Sequence, residues 1–67
     1  MQAGVRNRFT GKIVEIVAGE VMSQVTVQVG DNTITSVMTT ESLKDAGFKQ
    51  GDMVTALTKA INVVLVK

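Results

Sequence analysis

The chain has 67 residues, a formal net charge of +1, and neither cysteine nor histidine. This length allows one domain, taken here as residues 1–67, and so short a chain buries only about 60% of its unfolded surface. Without cysteine, disulfides and thiolate metal sites are excluded, which removes two common ways to stabilise a small scaffold. Hydrophobic residues still make up 45% of the sequence. We therefore expect part of the apolar surface to contact another subunit, in a homo-oligomer.

The charge distribution excludes some partners. A net charge near zero gives no general attraction to nucleic acids or anionic membranes, although Arg6, Arg8 and Lys12 crowd the region before Glu15. No apolar run is long enough for a signal peptide or for the roughly 20 residues of a membrane span. We expect a cytoplasmic protein with no membrane or nucleic-acid partner.

The first half of the sequence predicts strands. Residues 8–17 mix β-branched and polar side chains, as in a half-buried strand, and Gly11 within them marks a bend or bulge. Residues 21–29 alternate between Val or Ser and polar residues or Met, with nearly clean period-two patterning. The sequence Gly-Asp-Asn at residues 30–32 predicts a hairpin turn, and residues 33–38 a returning third strand.

Residues 39–48 predict the one helix. Thr39 or Thr40 can cap its start, and Gly47 suits the left-handed position that ends a helix. Phe48 can then pack back on Leu43. A helix of about two turns depends on packing against the rest of the domain.

Two further strands are expected after a turn at residues 49–52, over residues 53–60 and 61–67. Three strands, a short helix and two strands match the OB-fold pattern. The predicted fold is therefore all-β: a five-stranded OB-like barrel with one short helix between strands 3 and 4.

Catalysis is not expected. There is no histidine to act as a general base and no cysteine nucleophile, and the acidic residues are scattered. A Ser–Lys dyad of Ser42 and Lys59 can be written down, but nothing predicts a deep cleft or an oxyanion hole beside it. The chain is interpreted as a non-enzyme with no bound metal cation.

Single-stranded nucleic-acid binding is the alternative that a small OB barrel raises. Such surfaces combine a basic groove with aromatic rings on which bases stack. The chain has two aromatic residues, Phe9 and Phe48, and both are more simply explained as core or interface residues. A stacking platform is therefore missing.

Three short segments offer donors for a tetrahedral oxyanion, which favours backbone N–H groups, hydroxyls and one or two cations. Residues 4–7 supply a guanidinium, an amide side chain and a glycine backbone. Residues 39–42 supply hydroxyls at a predicted helix start. Residues 58–60 supply a lysine at the end of a strand. Each segment by itself is also explained by a helix cap, a solvated strand end or a terminal charge.

These segments, in this order, resemble the molbindin or Mop family, a Mop/TOBE-type domain that also occurs in molybdate-responsive regulators and molybdate transporter ATPases. The resemblance covers residues 4–66 and is carried by RNRFTGKIVEI and by VTVQVGDNTITSVMTTESLKDAGFKQGDMVTALTKAINVVL. The family's S-A-R-N-x-L-x-G-K opening resembles residues 4–12. Its I-T-S-x-x-T-x-x-S-x-x-x-L/A-G segment resembles residues 34–47, and its V/L-x-K-A/S-x-x-V close resembles residues 57–63.

The resemblance implies non-catalytic binding of molybdate or tungstate between subunits of a homohexamer, a trimer of dimers, for intracellular molybdenum storage and homeostasis. Arg6 and Lys59 would be the cationic ligands, and Thr39 and Ser42 the hydroxyl donors. Val5 and Ala60 would supply backbone N–H groups, and Asn7 an amide side chain. One departure is that Gly4 stands where the family has a serine, so one hydroxyl donor is lost. A structural or interaction module that acts through a partner is a further hypothesis.

Overall fold

The computed structural model describes residues 5–67. They form one sheet with strand order β3-β2-β1-β4, in which all neighbouring strands run antiparallel. In chain order, the elements are β1 (Val5–Ala18), β2 (Met22–Val29), β3 (Asn32–Thr39), α1 (Thr40–Ala46), β4 (Met53–Lys59) and a 3₁₀ turn, η1 (Ala60–Asn62).

Strand β1 is shared by both halves of the sheet. Its first part pairs with β4, from Val5 opposite Lys59 to Lys12 opposite Met53, and its second part pairs with β2. The two pairings overlap at Lys12, which lies opposite both Gln28 and Met53. Gly11 was expected to mark a bend or bulge, but the register shift with β2 lies later, between Ile13 and Glu15.

Gly11 instead allows the backbones of β1 and β2 to approach each other closely. A Cβ atom at this position would overlap the carbonyl oxygen of Gln28 and would lie 2.9 Å from Cγ2 of Val29. Glycine therefore lets the backbone of β2 lie close to that of β1 at this position.

Strands β2 and β3 confirm the predicted hairpin. Val29 pairs with Asn32, so the turn itself consists of Gly30 and Asp31, and Gly30 has a φ of 59°. The predicted alternation in β2 also holds, because Ser23, Val25 and Val27 are buried on one face. Four buried hydrophobic side chains form the core of the described chain: Ile13, Val25, Val27 and Leu43.

Helix α1 begins and ends as the sequence predicts. Of the two candidate caps, Thr39 is the one used, and its side chain accepts a hydrogen bond from the Ser42 N–H. Gly47 adopts the left-handed conformation at a φ of 71°, and its N–H reaches the carbonyl groups of Leu43 and Lys44. Phe48 is half-buried against the core cluster that contains Leu43. The local signals were sufficient because a cap and a terminal glycine act within the helix itself.

The predicted fifth strand is absent from the described chain. Ala60–Asn62 forms a 3₁₀ turn instead, and residues 63–67 have no strand assignment and are exposed. A strand needs a partner edge, and this segment has none among residues 5–67. The all-β class with one short helix is therefore confirmed, whereas the sheet has four strands and is not closed into a five-stranded barrel.

No described helix is long and apolar enough to cross a membrane.

Candidate anion-binding site

The first group of predicted site residues lies where β1 begins and β4 ends. Val5 pairs with Lys59, and Asn7 pairs with Thr58 on the neighbouring position of β4. The Asn7 side chain donates from Nδ2 to the Thr58 carbonyl oxygen at 3.3 Å. Five of the seven predicted residues therefore belong to one cluster, the β1–β4 cluster: Val5, Arg6, Asn7, Lys59 and Ala60.

The β1–β4 cluster presents positive charge to solvent. Arg6 and Lys59 are exposed, whereas Val5 and Asn7 are half-buried. The register between β1 and β4 shifts between Val5 and Asn7, so Arg6 sits at an irregularity of the ladder. Irregular strand ends leave backbone groups outside regular pairing, where they are open to other acceptors and donors. The cluster therefore places two exposed cations at the end of the pairing between β1 and β4.

The second group, the α1 cluster, consists of Thr39 and Ser42 at the helix start. The Thr39 hydroxyl accepts the Ser42 N–H at 3.1 Å and donates to the Ser42 Oγ at 2.8 Å. The single hydroxyl hydrogen of Thr39 is thus used inside the cap, whereas that of Ser42 is directed elsewhere. Both residues are exposed. The Ser42 hydroxyl therefore accepts a hydrogen bond from Thr39 and keeps its own hydrogen for another acceptor.

A buried hydroxyl network, which sequence reasoning missed, anchors the α1 cluster. Thr40 donates from Oγ1 to the Gly19 carbonyl at 2.8 Å, and its backbone N–H bonds the Val21 carbonyl at 2.7 Å. The Ser23 hydroxyl lies 2.7 Å from the Thr40 Oγ1, and it is the donor because the Thr40 hydrogen is already used. The feature of the sequence that could have indicated this network was Ser23, a polar residue on the apolar face of β2.

The two clusters lie at opposite ends of the sheet along the strand direction. The β1–β4 cluster is beside Val5, the first residue of β1, and the α1 cluster is beside its last residues, since Ala18 pairs with Ser23 and Met22 with Thr39. A strand rises about 3.3 Å per residue. The greatest extent of the molecule is 35 Å. One chain therefore does not bring the predicted donors into a single site.

Other kinds of site find little support. Among residues 5–67 no group of three or more His, Cys, Asp or Glu side chains could hold a metal ion. The predicted dyad partners, Ser42 and Lys59, belong to different clusters. Phe9 is 39% exposed and Phe48 is half-buried in the core, so the two rings do not share an open surface.

Comparison with known proteins agrees with this architecture. A family model described as the TOBE domain matches residues 4–65, which covers nearly the whole chain. The chain is thus a small TOBE domain. Among curated proteins, it is 33% identical to molybdenum-pterin-binding protein 2 of Clostridium pasteurianum over 66 residues, 97% of either chain. Molybdenum-pterin-binding protein 3 of the same organism is 32% identical over 97% of either chain.

Solved structures give the same result. MopII from Clostridium pasteurianum, in an apo form, matches with a TM-score of 0.87 at 33% identity, over 92% of this chain and 94% of that one. A molybdate-binding protein from Sporomusa ovata matches with a TM-score of 0.91 at 31% identity over the full length of both. The chain belongs to the molbindin (Mop) family of TOBE domains, as its sequence resemblance predicted.

Proposed function

We propose that this protein binds molybdate, or tungstate, without catalysis at interfaces between its own copies, for intracellular molybdenum storage and homeostasis. The observation that carries the proposal is the separation of two complementary donor clusters at opposite ends of β1. An oxyanion receives cations from one copy and a hydroxyl from another when the β1–β4 cluster of the first meets the α1 cluster of the second.

The donor chemistry of both clusters suits a tetrahedral dianion. Arg6 and Lys59 supply charge-assisted hydrogen bonds, which are stronger than neutral ones. Asn7 uses one N–H on Thr58 and keeps a second, because an amide nitrogen carries two hydrogens. Val5 and Ala60 are the proposed backbone N–H donors, and Ser42 is the proposed hydroxyl donor, positioned by Thr39. Without a serine at position 4, Ser42 carries more of the hydroxyl contribution.

Association between copies is supported by the surface. Thirteen large hydrophobic side chains of the described chain are exposed, while four form the buried core. Val21, Val37 and Met53 are each more than half exposed. A domain with so small a core gains stability from a partner that binds only its folded form. The proposed assembly is a homohexamer built as a trimer of dimers.

The similar proteins support the choice of anion. Relatives at about one third identity are named as molybdenum-pterin-binding proteins, and a full-length structural match is named as a molybdate-binding protein. Molybdate and sulfate carry the same charge and shape but differ in size, so sulfate is the informative competitor.

The test is isothermal titration of the purified protein with molybdate and tungstate, with sulfate and phosphate as competitors. Arg6→Ala with Lys59→Ala removes two charge-assisted bonds, each worth about 1.5–3 kcal/mol, so affinity should fall at least about 100-fold. The matched control is Arg8→Ala with Lys12→Ala, which removes the same charge from exposed positions of β1. Equal losses in both double variants would reject the site, and no molybdate heat in the unaltered protein would reject the function.

A nucleic-acid-binding OB module is the second candidate. It is favoured by Arg6, Arg8 and Lys12, three exposed basic side chains on one strand. It is opposed by the burial of Phe48 and by the near-neutral charge. Titration with a single-stranded oligonucleotide at two salt concentrations separates the candidates, because phosphate-driven binding weakens steeply with salt.

A further inference from the structure

We propose that Ser23 and Thr40, two buried hydroxyl residues, are positioning residues for anion binding. Neither touches the anion, and together they set its affinity by fixing where the Ser42 hydroxyl lies. The inference rests on the proposed function, in which Ser42 is the hydroxyl donor. It goes beyond that function because it assigns a role in affinity to two residues outside the donor set.

Burial keeps both residues away from any bound anion. Ser23 is 3% exposed and Thr40 is 7% exposed, whereas Ser42 is exposed. Ser23 shares its face of β2 with the core residues Val25 and Val27. A hydroxyl buried on such a face needs hydrogen-bond partners to offset the loss of water. Any effect of the pair on an anion therefore passes through the residues that the pair holds in place.

The hydrogen bonds of the pair have fixed directions. The Thr40 Oγ1 donates to the Gly19 carbonyl at 2.8 Å, so the Ser23 Oγ, 2.7 Å away, is the donor to Thr40. The Thr40 N–H donates to the Val21 carbonyl at 2.7 Å. Three hydrogen bonds thus tie the first residue of α1 to the β1–β2 turn and to β2. A fully satisfied buried network of this kind is rigid.

Helix α1 depends on this attachment because it is short. It has seven residues, fewer than a helix needs to be stable in water by itself. Two of the seven are buried, Thr40 and Leu43. The contact of Leu43 with the core is apolar and therefore non-directional, whereas the hydrogen bonds of Thr40 are directional. Thr40 therefore determines where the first turn of the helix lies.

The first turn of α1 carries the proposed hydroxyl donor. Thr40 directly follows Thr39, whose hydroxyl bonds the Ser42 N–H at 3.1 Å and the Ser42 Oγ at 2.8 Å. A displacement of Thr40 moves Thr39 and, through these two bonds, Ser42. Complete loss of a hydrogen bond to an ion lowers affinity by more than about 10-fold, so a misplaced Ser42 hydroxyl should lower it by about 3- to 10-fold.

The test compares molybdate affinity with stability in variants of the two buried residues. Calorimetric titration is performed where urea unfolding shows each variant to be folded. Thr40→Val removes the hydroxyl and keeps the shape, so we expect the affinity loss of about 3- to 10-fold. Ser23→Ala leaves the bond from Thr40 to Gly19 in place and should lose about 2- to 3-fold. Thr40→Ser keeps the hydroxyl and should restore most of the affinity.

The control for lowered stability is Gly30→Ala. Gly30 has a φ of 59° in the β2–β3 hairpin, and the turn lies at the opposite end of this pairing from Thr39. A methyl group strains the backbone at this φ. We expect a lower free energy of unfolding with unchanged molybdate affinity. Equal affinity losses in Gly30→Ala and Thr40→Val would mean that affinity only follows stability, and would overturn the positioning role.

The outcomes separate this inference from the proposed function. No molybdate heat in the unaltered protein overturns the function and the inference with it. Binding by the unaltered protein with the same affinity in Thr40→Val and Ser23→Ala overturns the positioning role alone. A loss in Thr40→Ser as large as that in Thr40→Val also overturns it, because the methyl group and not the hydroxyl would be responsible. If Thr40→Val does not fold, the result for Ser23→Ala decides.

Discussion

The two ends of β1 hold polar residues in opposite ways. At the α1 end, Ser23 and Thr40 are buried and bonded to each other, and Thr40 is bonded again to the Gly19 carbonyl. At the β4 end, Arg6 and Lys59 are exposed, and Asn7 makes a single side-chain bond. The first end is held by a buried hydroxyl network, with Ser42 exposed beside it. The second end is an exposed cationic surface with fewer side-chain hydrogen bonds among the described residues.

The largest loss of stability is expected from a substitution at Gly11, which lies in β1 between the two ends. Gly11→Ala would place a methyl group against the Gln28 carbonyl, and a backbone atom of a paired strand cannot move aside easily. Overpacking of this kind costs about 1–3 kcal/mol or more. Urea unfolding would measure it, with Gly30→Ala as the control: no atom lies near that Cβ, so only the positive-φ strain of about 1 kcal/mol is expected. An equal loss in both variants would mean that β1 and β2 do not approach closely at Gly11.

The α1 end should be the next most sensitive. Thr40→Val keeps the side-chain shape but leaves the Gly19 carbonyl and the Ser23 hydroxyl without their partner. An unsatisfied buried polar group costs about 1–3 kcal/mol, which would appear as a lower free energy of unfolding. Thr33→Val, at an exposed position of β3, is the matched control and should unfold at nearly the same urea concentration as the unaltered protein. If the two variants behaved alike, the buried network would not be the support of the helix start.

Substitutions of Thr39 and Ser42, the two hydroxyl residues of the α1 cluster, should differ in their effects on protein stability and on anion binding. Thr39→Ala removes the helix cap and should cost about 1 kcal/mol of unfolding free energy, and it should also weaken anion binding by releasing Ser42. Ser42→Ala should leave stability nearly unchanged but weaken molybdate binding in calorimetry. A Ser42→Ala variant that binds normally would remove Ser42 from the proposed donor set.

The smallest effect is expected at the β4 end. Asn7→Ala deletes one part-buried side-chain bond, worth about 0.5–1.5 kcal/mol, at a 3.3 Å distance that favours the lower limit. Molybdate affinity should fall more than stability does, because the second amide hydrogen is a proposed donor. A loss of stability as large as that of Thr40→Val would contradict the contrast between the two ends.

Local elements of the fold were predictable because their signals act over a few residues. The hairpin followed from Gly30 and Asp31, and the helix from a threonine cap and Gly47. The register shift near Ile13 and the role of Gly11 were not predictable, since both depend on how β2 pairs with β1, and the residue pattern of one strand does not reveal its register with the next. The buried role of Ser23 was indicated only by its being a polar residue in an otherwise apolar alternation.

The sequence predicted which residues belong to the candidate site, but it did not predict how they are arranged in space. Family resemblance named Arg6, Ser42 and Lys59, but sequence order carries no information about which ends of the sheet they occupy. The register of β1 with β4 places Lys59 beside Val5, and the register of β2 with β3 places Thr39 at the far end. That separation supports the proposal of sites shared between copies, which the family resemblance had already implied.

By itself, the sequence determined the all-β class, the single capped helix, the Mop resemblance and the chemical types of the donors, because these depend on local periodicity and residue identity. It also showed that residues 61–67 have the composition of a strand. Only the tertiary structure decided that this segment finds no partner among the described residues and that the donors form two separate clusters. Strand composition expresses a capacity to pair, whereas pairing requires an edge, and which edge is available is a property of the whole folded sheet.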